Sequence, residues 1–170
     1  MPKIALLLHN IRSTYNVGSI LRTAEGFGVE QIILSGYTPY PEQANDERLP
    51  HLRQRLTKQI HKTALGAEKI LASQYVKSPE NIIQQYRQRG YKIVALEQTK
   101  NSHKLPNYQT PDKVLLILGE EVNGIPLGIL KLSDEAIEIP MVGQKESFNV
   151  SVATGIALYH LFLNPKLVNN

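Results

Sequence analysis

A chain of 170 residues, 42% of them hydrophobic and 20% charged, has the length and balance of one globular domain with a sizeable core. Cysteine is absent, which excludes a disulfide framework and a thiolate metal site, and the five histidines lack ligand spacing, which argues against zinc. The net charge of +4 is modest, so a surface for nucleic acid has to come from local clustering.

Strand-like and helix-like stretches alternate along the chain. KIALLLH (3–9) reads as a buried strand directly after Met1-Pro2, with no signal peptide, so a cytoplasmic protein is expected. NVGSILRTAEGFG (16–28) follows as a helix with Asn16 as its candidate cap, and QIILSG (31–36) as a second strand. Beyond a loop containing Pro and Tyr, residues 48–67 hold Arg48, Arg53, Arg55, Lys58 and Lys62 and no acidic residue. Such a one-signed segment is either a solvated helix face or a docking surface for a phosphate backbone.

AEKILASQYV (67–76) holds a short strand, and SPENIIQQYRQRG (78–90) a helix with Ser78 as cap, Pro79 at its first position and Gly90 at its end. YKIVALE (91–97) and KVLLILGEE (113–121) are apolar strands. NGIPLGILKLS turns at Asn123-Gly124 and begins a short helix at Pro126; EAIEIPM (135–141) is the last strand and 147–163 the last helix. The uncharged run 147–165 is about as long as a membrane span, but its Ser, Asn, Thr, Gly, Tyr and His residues fit a buried helix instead. The alternation predicts an α/β fold, a mostly parallel sheet with helices on both faces, in a single domain over 1–170.

The common nucleotide motifs are missing. The first strand runs into HNIRSTYNVGSI with Gly18 as its one glycine, so there is no G-x-G-x-x-G, and neither a Walker lysine loop nor a G-x-S-x-G elbow occurs. Three other segments stand out. In NIRSTYNVGSILRTA (10–24), Gly18 opens the first helical turn to close approach and Arg22 shares that face. In LGEEVNGIP (118–126), Glu120 and Glu121 lie at a strand's carboxyl end, where ligand crevices open in parallel sheets. IPMVGQKESFNVSVATG (139–155) is strand, Gly-bearing loop and helix, with Ser147 or Asn149 as its cap.

In this order and spacing the three segments resemble the signature motifs of the SpoU (TrmH-like) family, the tRNA and rRNA ribose 2′-O-methyltransferases of the SPOUT superfamily, from about Leu6 to Leu161. The resemblance implies a deep C-terminal trefoil knot and S-adenosylmethionine as methyl donor, leaving S-adenosylhomocysteine, with no metal. It further implies a homodimer acting on tRNA or rRNA, with no DNA and no membrane partner. Asn16 and Arg22 match the first motif, Glu121 the second, and Ser147 with Asn149 the third. Arg22 would either accept the hydroxyl proton or fix the adjacent phosphate and stabilise the developing alkoxide; Ser147 and Asn149 would orient the ribose and Arg22, and Glu121 would hold Arg22 or shape the loop. The cofactor would lie against backbone near Leu118, Gly119, Ile139, Met141, Phe148 and Val150.

The resemblance also accounts for the small polar residues of the last helix, since Ser151, Thr154 and Gly155 would allow close helix packing across a two-fold seam. Arg48, Arg53, Arg55, Lys58 and Lys62 become the candidate RNA-docking surface, with no separate N-terminal RNA-binding domain expected. Glu120 stands where the family often has Asn or Ala, and Phe148 where it usually has Leu; Glu120 is expected to stay clear of the chemistry. A competing reading is a non-catalytic RNA-binding or assembly factor that retains the fold, and a more distant one an unrelated α/β enzyme for a small molecule.

Overall fold

The computed structural model describes residues 1–163. Its elements follow the alternation: β1 (Lys3–His9), α1 (Thr14–Gly26), β2 (Gln31–Ser35), α2 (Pro50–Ala64), α3 (Ala67–Ile70), β3 (Ser73–Val76), α4 (Glu80–Gln88) and β4 (Lys92–Leu96). The second half holds β5 (His103–Lys104), a 3-10 turn (Leu105–Asn107), β6 (Lys113–Leu118), α5 (Leu127–Leu130), β7 (Glu135–Glu138) and α6 (Val150–Leu163). Among these residues seven strands form one sheet, ordered β3-β2-β1-β6-β4-β7-β5, and every pairing is parallel.

Burial on both faces explains why β1, β2, β4 and β6 read as apolar runs. Ile4, Leu6 and Leu8 of β1 and Val114, Leu116 and Leu118 of β6 join a core with α1, α2, α3 and α6. The alternate residues Ala5, Leu7, Leu115 and Ile117 face a second core with Ile83 and Tyr86 of α4 and Ile129 of α5. Helices thus cover both faces, as the sequence predicts.

Several local expectations are corrected. Ser13, not Asn16, caps α1: its Oγ accepts the Asn16 N–H at 3.2 Å, which leaves the Asn16 amide free for other work. Gly18 does not open the first turn to a ligand. A Cβ there would overlap the Ile60 carbonyl and Thr63 of α2, so the glycine serves close packing of α1 on α2. Helix α4 starts at Glu80 after Pro79, with no bond from a Ser78 side chain. The two-residue strand β5 lies in the polar stretch between β4 and β6, where no periodicity marks it.

The last helix is corrected twice. It begins at Val150, and Asn149 is its cap: the Asn149 Oδ1 accepts the Ser151 N–H at 2.9 Å and the Ser151 hydroxyl at 2.7 Å. Thr154 is fully buried and Gly155 packs on Thr23 of α1, so these small residues serve the chain's own helix packing. The side left to solvent is instead apolar: Val152, Ile156, Tyr159 and Leu163 are exposed at spacings of one helical face.

Candidate active site

Strand order reverses direction between β1, whose chain leads out to β2, and β6, whose chain leads past β4 to β7. Ligand crevices in open parallel sheets form outside the carboxyl ends of strands at such a point. The three singled-out segments converge there. The loop after β1 carries Asn10 to Ser13 into α1, the loop after β6 carries Gly119 to Ile125, and the loop after β7 leads to Asn149.

A chain of hydrogen bonds joins them. The Asn16 Nδ2 donates to the Glu121 Oε1 at 2.8 Å, the Asn149 Nδ2 donates to the Asn16 Oδ1 at 3.1 Å, and the Arg12 backbone N–H donates to the Glu121 Oε2 at 3.3 Å. Both asparagine amides are thereby oriented, with donors and acceptors matched. Partial burial alone would raise the Glu121 carboxyl, but the hydrogen bonds from Asn16 and from backbone N–H groups outweigh it and hold it below the usual carboxylate range.

Beside this chain a cleft opens between the ends of β4, β6 and β7. It is lined by Leu118, Gly119, Ile139, Met141, Phe148 and Val150, so all six residues expected at the cofactor share one cavity. Ser147 and Glu121 line it too, whereas Asn16, Asn149 and Arg22 do not. Gly119 is required by close approach: a Cβ would overlap the backbone of Gly124 and Ile125, where the loop folds back and Glu120 and Gly124 exchange backbone bonds of 3.2 and 3.1 Å. Glu97, at the end of β4, fixes that fold by accepting the Ile125 N–H at 2.8 Å. Five glutamates (Glu97, Glu120, Glu121, Glu138 and Glu146) line the cleft, and no lysine or arginine among the described residues does. Apolar walls with a negative rim suit a ligand that pairs a flat apolar ring with positive charge.

On the β1 side the chemistry inverts. Glu120 accepts from the Arg12 guanidinium at 3.2 Å, from the Tyr37 hydroxyl and from the Asn123 amide. The Tyr37 and Asn123 hydrogen bonds, with Arg12 nearby, keep its carboxyl below the ordinary range; the same contact raises the Tyr37 hydroxyl and the Arg12 guanidinium. Glu120 thus lines the cleft and ties Arg12 to Tyr37, while among the described residues no side-chain hydrogen bond joins it to Asn16, Arg22, Ser147 or Asn149. Arg12, Tyr37 and Glu97 escaped sequence reading. A carboxylate closing a strand marked Glu97, but neither Arg12 nor Tyr37 carries a pattern.

Arg22 lies six residues beyond Asn16, about 9 Å along α1. It is exposed, no hydrogen bond or ion pair engages it among the described residues, and it does not touch the Glu121–Asn16–Asn149 chain; the idea that Glu121 holds Arg22 is corrected.

The basic segment divides. Arg48 is turned inward: its guanidinium pairs with Asp46 at 2.5 Å, donates to the carbonyls of Tyr40 and Pro41, and lies 3.4 Å from the Tyr40 ring centroid. Arg48's hydrogen bond holds the Asp46 carboxyl down at about 2. Arg53 pairs with Glu42 at 3.3 Å and donates to the Asp46 carbonyl. Both thus brace the 40–48 loop, which corrects their reading as free docking cations. Arg55, Lys58 and Lys62 remain exposed on one face of α2, and Lys62 lies 5.9 Å from the centroid of the exposed Tyr15 ring. Among the described residues no group of three His, Asp or Glu side chains is placed to hold a metal, and no helix is long and apolar enough to cross a membrane.

Comparison with known proteins decides what this arrangement belongs to. Residues 3–159 match the SpoU rRNA Methylase family. The chain belongs to that family. It is 29% identical over 150 residues to a tRNA (guanosine(18)-2′-O)-methyltransferase of Aquifex aeolicus, covering 88% of this chain and 64% of that protein. It is 30% identical over 146 residues to the mouse (Mus musculus) tRNA (guanosine(18)-2′-O)-methyltransferase, covering 85% of this chain and 8% of that one. Among solved structures, an AdoMet-bound rRNA methyltransferase from Sinorhizobium meliloti superposes with a TM-score of 0.78 at 24% identity, over 94% of this chain and 55% of that one. The chain spans less than two-thirds of each of these relatives.

Proposed function

We propose that this SpoU-family chain transfers a methyl group from S-adenosylmethionine to a ribose 2′-hydroxyl of tRNA or rRNA. The observation that carries the reading is the hydrogen-bonded Glu121–Asn16–Asn149 chain, which draws all three motif segments to one switch point beside an acidic, apolar-walled cleft. S-adenosylmethionine, when bound, supplies a methyl group already activated on a positively charged sulfur. The glutamate rim favours that charge, and the walls near Leu118, Ile139, Met141, Phe148 and Val150 suit its adenine. In this reading the loops after β6 and β7 form the trefoil knot that holds it.

The protein's own residues then have to place the ribose and manage one proton. Asn149 and Asn16, fixed by Glu121, present a preorganised polar edge, and Ser147 stands at the cleft mouth to meet the ribose. Arg22 fixes a phosphate and stabilises negative charge on the 2′-oxygen. A guanidinium holds its protons too tightly to serve as a ready acceptor, so the 2′-hydroxyl proton passes to solvent water as the oxygen is methylated. The position of Arg22 on the open side of α1 requires the RNA, or a second protomer, to complete the site. The apolar stripe Val152, Ile156, Tyr159 and Leu163 on α6 supports a homodimer, since such a face is costly in water. Arg55, Lys58 and Lys62 carry the phosphate docking.

The test is transfer of labelled methyl groups to total tRNA and, separately, to rRNA lacking the modification. Arg22→Ala is expected to lower turnover by about 10²–10³-fold while cofactor affinity stays unchanged. Incorporation mapped to a base instead of a 2′-oxygen overturns the reading. Absence of any cofactor binding would favour a non-catalytic RNA-binding factor.

A further inference from the structure

The basin on the β1 side of the switch point is lined by Arg12, Thr14, Tyr37, Tyr40, Arg48 and Tyr75, and no part of the chemistry above uses it. Its floor is a stack of planar groups: the Arg48 guanidinium 3.4 Å from the Tyr40 centroid, and the Tyr40 ring 4.1 Å from the Tyr75 ring at 15°. Asp46 and the carbonyls of Tyr40 and Pro41 hold Arg48 through its Nε and both Nη atoms, so the floor is rigid.

Tyr37 stands beside this floor and is 55% exposed, yet it is held at both ends. Its N–H donates to the Asn10 Oδ1 at 3.2 Å and its hydroxyl donates to Glu120. The preceding Gly36 has φ +65°, and a Cβ there would overlap the Asn10 side chain, so the backbone approach is built for this placement. A fixed aromatic ring left open to water contributes little to the fold. Ring faces of this kind bind unpaired bases, because every base offers a π-face. Arg12, 56% exposed and tethered to the same Glu120, stands beside it as a phosphate contact.

We infer that this basin is a nucleobase subsite: an unpaired base of the RNA entering the site stacks on Tyr37, and Arg12 holds its phosphate. Glu120 is the positioning residue for both. This rests on the RNA-methylation reading and deepens it. The arrangement also calls for a glutamate there, since an asparagine or alanine would be uncharged or too short to tie Arg12 and Tyr37 together.

The probe is a single-stranded RNA hexamer carrying 5-iodouridine, with binding measured by fluorescence anisotropy and the photo-crosslinked residue mapped by mass spectrometry. The intact chain is expected to crosslink at Tyr37. Tyr37→Ala is expected to weaken the hexamer roughly tenfold, Tyr37→Phe by much less, and S-adenosylmethionine affinity is expected to stay constant in both. Glu120→Ala should weaken hexamer binding about as much as Tyr37→Ala, and the double variant no more than either, a coupling that a purely structural role would not produce. Crosslinks confined to Tyr15 or Tyr159, with unchanged hexamer binding in Tyr37→Ala, overturn the subsite and leave the methyltransferase reading intact. Failure of the unaltered chain to bind any RNA while it binds S-adenosylmethionine overturns both.

Discussion

The two sides of the β1–β6 boundary are chemical opposites. Toward β4 and β7 the cleft is apolar with five glutamates and no basic residue among those described; toward β2 the basin is aromatic, with Arg12 and Arg48. One side suits a positively charged cofactor, the other a polyanion with flat bases. The separation places opposite fields on either side of one line of loops, so a single sheet edge presents two chemically different surfaces. Glu120 belongs to both, lining the cleft while tying down Arg12 and Tyr37. Substitutions that act on one side should leave the other's ligand unaffected.

The largest effect is expected from Gly119→Ala. The added Cβ meets backbone of Gly124 and Ile125, which has no flexible end to yield, so the loop after β6 has to unfold from its turn. Overpacking of this kind costs about 1–3 kcal/mol, and the cleft loses a wall. Titration calorimetry is expected to find no S-adenosylmethionine binding, with a lowered melting temperature. Retained cofactor affinity would mean that the cleft is not the cofactor site.

Next comes Asn16→Ala, which removes the main hydrogen bond to the partly buried Glu121 and frees Asn149. A buried acceptor left unpaired costs about 1–3 kcal/mol. Because Glu121 titrates below the ordinary carboxylate range when folded, its contribution is complete above that range and is lost as pH falls through the depressed value. The variant is therefore expected to be less stable at neutral pH and to lose less on acidification than the unaltered chain. Denaturant midpoints measured between neutral and acid pH check this, and parallel curves would remove Asn16 as the cause of the shift.

The α2 cations give a smaller, directional effect. Replacing Arg55, Lys58 and Lys62 with Ala is expected to flatten the slope of log binding constant against log salt by about 2 for single-stranded RNA. Arg48→Ala is expected to leave the slope unchanged and instead release Asp46, whose carboxyl sits at about 2 because of Arg48. An equal slope change for both would put Arg48 back among the docking residues.

Much of this organisation is legible in the sequence, and the division between what is and is not has a physical basis. Strands buried on both faces, β1, β2, β4 and β6, announce themselves as apolar runs, and β3 and β7 are short stretches of mixed polar and apolar residues; β5, two residues paired only with β7, has no pattern to read. The residues that the motif resemblance assigns to the cofactor all line one cleft. The cap of α1 is ambiguous because Ser13 and Asn16 are both good candidates three residues apart, and only the hydrogen bonds separate them. The basic segment misleads because the carboxylates that neutralise Arg48 and Arg53, Asp46 and Glu42, lie just upstream of the window that looks one-signed. Tyr37 stays invisible for a further reason: its importance comes from a contact with Glu120, 83 residues away.

The smallest expected effect is the sharpest test of the partition. Phe148 is 40% exposed at the cleft mouth. Phe148→Leu keeps an apolar wall and removes part of a ring that water already reaches, so the change in cofactor affinity should stay within about tenfold, roughly 1.4 kcal/mol. Among the described residues no hydrogen bond, ion pair or ring contact joins Phe148 to Tyr37, Arg12 or the α2 cations, so RNA affinity and its salt slope should not move at all. A shift of cofactor affinity alone would place Phe148 on the acidic side only. A matched loss of RNA binding would mean that RNA reaches into the cleft itself, and the boundary drawn by Glu120 would then lie one loop further toward β7.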